Sequence, residues 1–123
     1  MNPREHFDKA QRIAAGLDKL DVSDDAIAII DGTMIAGYHL GNALLHLHGV
    51  TGPSVYFNTP SKLTVPLESL PATVKPAYNA FDRLEALRTR YVRNPHEADA
   101  QVVLDAKHML EAMMRHCGLG RCA

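Results

Sequence analysis

"AIAIIDGTMIAGYHLGNALLHLHGV", residues 26 to 50, carries one charged side chain, Asp31, in twenty-five positions. Ser23 followed by Asp24 and Asp25 is a helix-start signal, because acidic side chains favour the positive end of the helix dipole. The spacing predicts a helix from there to about Leu47, ended at Gly49, with Ile30, Met34, Leu44 and Leu45 on one apolar face. Gly37 and Gly41 share that face four residues apart. A helical glycine costs about 1 kcal/mol relative to alanine, so two on one face imply close approach of a neighbouring helix. The run from Gly32 to Ser61 holds no Lys, Arg, Asp or Glu, but three histidines, several glycines and Asn42 interrupt it. It makes a poor membrane span and a good buried central helix.

Three further helices follow outward from this one. Asn2 before Pro3 reads as a cap with proline at the first helical position, and Phe7, Ala10, Ile13, Ala14, Leu17 and Leu20 form the stripe behind it. Ala77, Ala80, Phe81, Leu84, Leu87 and Tyr91 mark the third helix. Asn94, Pro95 and Glu97 predict the start of the fourth, with Val102, Ala106, Met109, Leu110 and Met113 as its face and Gly118 as its end after Arg115 and His116. Between the second and third, Pro53, Pro60, Pro66 and Pro71 forbid a continuous helix. Val55, Tyr56, Phe57, Leu63, Val65 and Leu67 make that stretch too apolar for a free linker, so it reads as an ordered crossover packed on the bundle. The expected architecture is a single all-α domain, an antiparallel up-and-down four-helix bundle with one Pro-rich irregular crossover.

The chain has 123 residues, enough for one core without staples. Its 46% hydrophobic and 22% charged content is that of an ordinary globular domain, and a net charge of −1 excludes a global electrostatic footprint for nucleic acid. The charged opening "MNPREHFDKAQRI" has no apolar segment of the secretory kind. Cytoplasmic residence with Cys117 and Cys122 as reduced thiols is therefore expected, with no membrane attachment.

Two groups of residues carry candidate chemistry. In "ALRTRYVRNPHEADA", residues 86 to 100, Arg88, Arg90 and Arg93 stand at the end of helix three and His96 at the expected first turn of helix four. Cations at a helix C-terminus are stabilising by about 0.3–1 kcal/mol, which is reason enough for the arginines. A neutral His96 beside guanidinium groups is also a general base suited to an RNA 2′-hydroxyl, with Arg90 steadying the phosphorane charge. The second group is His39, Asn42 and His46, which spacings of three and four place on one helical face. Burial there demands partners, whether as satisfied core groups, as a small-molecule pocket, or as metal ligands joined by His108 and Glu111. The Glu-x-x-His pairs of carboxylate-bridged di-metal bundles are missing, so no metal and no cofactor is expected.

Three pieces resemble the higher-eukaryote and prokaryote nucleotide-binding (HEPN) family. They are the long second helix, the crossover with "FNTPSK", and "AFDRLEALRTRYVRNPHEADAQVVLDAKHMLEAMMRH", together covering roughly Asp24 to His116. The resemblance implies a bundle that pairs as a homodimer, acting either as a metal-independent endoribonuclease or as a non-catalytic module that binds RNA, a nucleotide, or a partner such as a nucleotidyltransferase or antitoxin. The family's Arg-x4–6-His motif falls on Arg90 and His96, with Tyr91 where the family carries a polar residue after the arginine. Arg88, Arg93 and Asn94 are then the neighbouring binding positions. On this reading the chain is a binding module first and a nuclease second.

Overall fold

Asn2 caps as its place before Pro3 predicts. In a computed structural model of the chain its side-chain oxygen accepts from the Glu5 backbone N–H at 2.8 Å, while the Glu5 carboxylate accepts from the Asn2 N–H at 2.9 Å. This reciprocal box starts α1 (Pro3–Leu17). The structure describes residues 1–52, 55–57, 60–63 and 65–117. It is an all-helical bundle of α1, α2 (Ala26–Leu47), α3 (Lys75–Arg88) and α4 (Ala100–Cys117), with no strand among the described residues. Helix α2 is the hub and packs on each of the other three.

The glycine pair on α2 explains how close that packing is. A Cβ on Gly37 would sit 3.0 Å from Leu84 Cδ1, and one on Gly41 would sit 3.1 Å from Phe81 Cδ2. Phe81 and Leu84 are fully buried, so α3 lies in a groove that only glycine leaves open. Gly16, on the outer side of α1, has nothing within 4 Å of a Cβ. Gly16→Ala should therefore stabilise the protein by about 0.5–1 kcal/mol through helix propensity alone, read as a raised urea midpoint with an unchanged slope.

Three sequence expectations need correction. Ser23 does not cap α2: its N–H and that of Asp24 donate to the Asp21 carboxylate, in a turn that delays the helix to Ala26. Asn94 does not cap α4. Helix α3 runs into a single π-helical turn, Thr89–Arg93, and the Asn94 amide donates back to Thr89 O at 2.6 Å. Asn94 itself is extended, as a residue before proline prefers. The cap of α4 is instead Asp99, whose carboxylate accepts from Val102 N at 3.0 Å. The third correction concerns the crossover, where Val55, Tyr56 and Leu67 are exposed and Leu70 and Val74 reach the core. Leu20, past the end of α1, is exposed as well.

Polar clamps hold the crossover beside its apolar contacts. Asn42, fully buried on α2, accepts from Phe57 N at 2.9 Å and donates to Phe57 O and Tyr38 O, both at 2.8 Å. Tyr78 of α3 donates its hydroxyl to Pro60 O. Two short 3-10 turns, Pro60–Lys62 and Leu67–Ser69, complete the path. Glycine 118 and Cys122, expected to end α4 and to neighbour Cys117, lie outside the described residues. Among the described residues no helix is long and apolar enough to cross a membrane.

Candidate functional site

The arginines at the end of α3 are largely engaged by carboxylates. Arg88 is half-buried, 3.2 Å from Glu85 and 4.0 Å from Asp31 of α2. Arg93 reaches the same Glu85 at 4.0 Å from an exposed position. Arg90 is exposed and lies over the Tyr91 ring, 5.5 Å from its centroid. The π-helical turn gives these residues their fan: a wider turn rotates Arg90 and Arg93 off the register that α3 set for Arg88.

His96 is exposed in the irregular segment between that turn and α4, four residues before the helix rather than in its first turn. It lines an open groove of about 560 Å3 together with Asp24, Asp25, Asp31 and Glu97. The apolar part of the lining is Ala26, Ile27, Ala28 and Ala98. No lysine or arginine lines it, and Arg90 is not part of it. The structure thus sets His96 among carboxylates rather than guanidinium groups, and Asn94, bonded to Thr89, stands outside the groove.

A second site forms where α1, α2 and the crossover meet. His39 is buried, and its Nδ1 lies 3.0 Å from Nδ1 of His6, a fully buried α1 residue. The His6 ring is 5.6 Å from that of His46 and 5.5 Å from that of Tyr56. His46 Nε2 is 2.7 Å from Val55 O. Burial, with the His39, His46 and N-terminal charges adding to it, pulls His6 down to about 4, while Glu5 acts weakly the other way. Burial, followed by the nearby Lys9, lowers His39 as well. His39 and His46 are therefore brought together, but through His6 rather than through α4, where His108 and Glu111 are exposed. Asn42 has its amide taken up by backbone. Among the described residues no three His, Cys, Asp or Glu side chains are placed to hold a metal ion.

His6 was legible in principle. It stands four, seven and eleven residues before Ala10, Ile13 and Leu17, on the apolar stripe of α1. The acidic groove was not, because Asp24, Asp25 and Asp31 meet Glu97 only once α2 and the segment before α4 are packed together. No family model, no curated protein and no solved structure matches this chain.

Proposed function

We propose that this protein is a non-catalytic binding module, HEPN-like in its helix order, whose working surface is the groove between the start of α2 and the segment before α4. Its partner is a basic segment of a protein. The observation that carries the reading is the lining itself, four carboxylates beside apolar side chains with no Lys or Arg in the wall, in which Ile27 is 62% exposed. Among the described residues only Asp31 of the four has an arginine, Arg88, within 4.0 Å. Opposite charge at such a rim raises encounter rates and selects partners, and an exposed aliphatic side chain supplies an anchor. A phosphate backbone meets repulsion at the same place, so an RNA strand is the poorer occupant.

A second copy of the chain is the other occupant this surface suits, and homodimer formation is part of the proposal. Ile27 and Ile35 are both exposed on α2, with Asp31 between them at four-residue spacing, and the exposed Arg90 and Arg93 supply cations from the same molecule. A two-fold axis beside α2 would set the Ile27–Ile35 face of one copy against the same face of the other.

The test is fluorescence anisotropy with a labelled Lys/Leu amphipathic peptide, beside an oligouridine of similar length, in EDTA. The peptide should bind, more weakly as salt rises, and Asp24→Asn with Asp31→Asn should weaken it about three- to tenfold, the scale of two partly exposed charge pairs. Binding or cleavage of the oligonucleotide by the wild type, lost in His96→Ala and in Arg90→Ala, would overturn the reading in favour of the nuclease. Light scattering on the protein alone distinguishes the dimer, which Ile27→Glu should dissociate.

A further inference from the structure

We propose that His39, His6 and His46 form one directed imidazole chain that latches α1 and the crossover onto α2, and that acid opens this latch. The direction follows from its fixed end. Val55 O can only accept, so His46 Nε2 at 2.7 Å must carry the hydrogen and His46 Nδ1 is a lone pair. That nitrogen is buried without a donor among the described residues, and so is His6 Nε2 on the adjacent ring. One set of tautomers makes the two complementary in kind, although they do not hydrogen-bond each other in this arrangement. His39 donates from Nδ1 to His6 Nδ1, so His6 keeps its hydrogen on Nε2 as a donor, beside a His46 ring 5.6 Å away whose Nδ1 is an acceptor.

The same chain dictates what a proton does. On His6 it must enter at Nδ1, the nitrogen that accepts from His39, so the bond between α1 and α2 is lost unless His39 shifts its own hydrogen to Nε2, and either way a charge is left in a buried site. At His39, burial and the nearby Lys9 oppose a charge. The titratable and charged groups around His6 and His39 are Glu5 and Lys9 on α1, the N-terminal ammonium, Tyr38 and His46 on α2, and Tyr56 of the crossover. Glu5 alone among them favours a charge on His6, and it is occupied in the α1 cap.

Helix α1 is the element free to respond. It packs chiefly on α2, and its far end is tied to α4 by the Lys107–Asp18 pair at 3.0 Å. Lifting its first turns uncovers His6, Phe7 and the α2 face beneath them. The sign is that of a depressed histidine: the closed state is at full strength above the ordinary value of 6.5 and weakens as pH falls through the interval down to about 4. At about pH 5 the opening constant of α1 should be about thirtyfold larger than at pH 7.5, the ratio those two values give.

Two measurements decide it. Ring-nitrogen NMR at pH 7.5 should find His39 as the Nδ1–H tautomer, the minor form of free imidazole, and His46 as Nε2–H. Amide hydrogen exchange, corrected for intrinsic rates, should show α1 opening about thirtyfold more at pH 5 while α4 changes little. His6→Phe, which keeps a ring and removes the titration, should flatten that dependence. His46→Gln, which retains a donor for Val55 O and cannot titrate, should reduce it. An Nε2–H tautomer at His39, or α1 protection that is equal at the two pH values in the wild type, would overturn the latch. The wild-type spectra decide this even where a variant fails to fold.

Discussion

Asn42→Leu should lower the unfolding free energy by about 3 kcal/mol, from three lost hydrogen bonds at about 1 kcal/mol each, although leucine is nearly isosteric and sits on an apolar helix. Asn42 meets both backbone groups of Phe57 and the carbonyl of Tyr38. Leucine satisfies none of them, and backbone groups left inside without partners are more costly than exposed ones. Asn42→Asp should be worse, because its carboxylate would face two carbonyl oxygens. The same clamp holds Val55 within reach of His46, so loosening it should also raise hydrogen exchange in residues 55–57. Urea unfolding is the check. A loss below 1 kcal/mol would mean that the crossover is held by its apolar contacts instead.

Gly41→Leu should destabilise by about 2 kcal/mol net, overpacking of about 3 kcal/mol offset by about 1 kcal/mol of helix propensity. Its Cβ alone would lie 3.1 Å from Phe81, a side chain with 0% exposure and no space to retreat into. Phe81→Ala alone should cost about 3–5 kcal/mol through the cavity it leaves. Combined, the two substitutions should cost less than their sum by about 1–3 kcal/mol, since the new leucine fills the space the ring vacates. Additive losses in thermal unfolding would show that the two residues do not meet and that α3 approaches α2 elsewhere.

These substitutions lie on the part of the chain whose sequence was most informative, and they show where such reading ends. That α2 is central follows from residues 26 to 50, because a helix of twenty-two residues with a single charged side chain needs cover on more than one side. That Gly37 and Gly41 mark close approach follows from the propensity they sacrifice. Which helix approaches does not, since any apolar side chain could fill the groove. The buried face of His39 and Asn42 was likewise readable from spacing, whereas their partners were not. Asn42 bonds fifteen residues away and His39 thirty-three, and no local pattern encodes contacts at such separation.

The segment around Asn94 shows the limit from the other side. "NPHE" carries a strong local start signal, but Asn94 had two uses available, capping α4 or closing the end of α3. Local propensity rates the two alike. The choice fell to packing, which ended α3 in a π-helical turn and left Asp99 in position to cap α4. His96 was thereby moved from a helix terminus into a groove with Asp24, Asp25, Asp31 and Glu97. Period, capping boxes and proline placement act over one or two helical turns, so helix number, the central position of α2 and the class of the fold were already written along the chain. The charge that surrounds His96, and the ring that joins His39 to His46, depend on residues brought together from separate helices. Only the packed bundle could decide them.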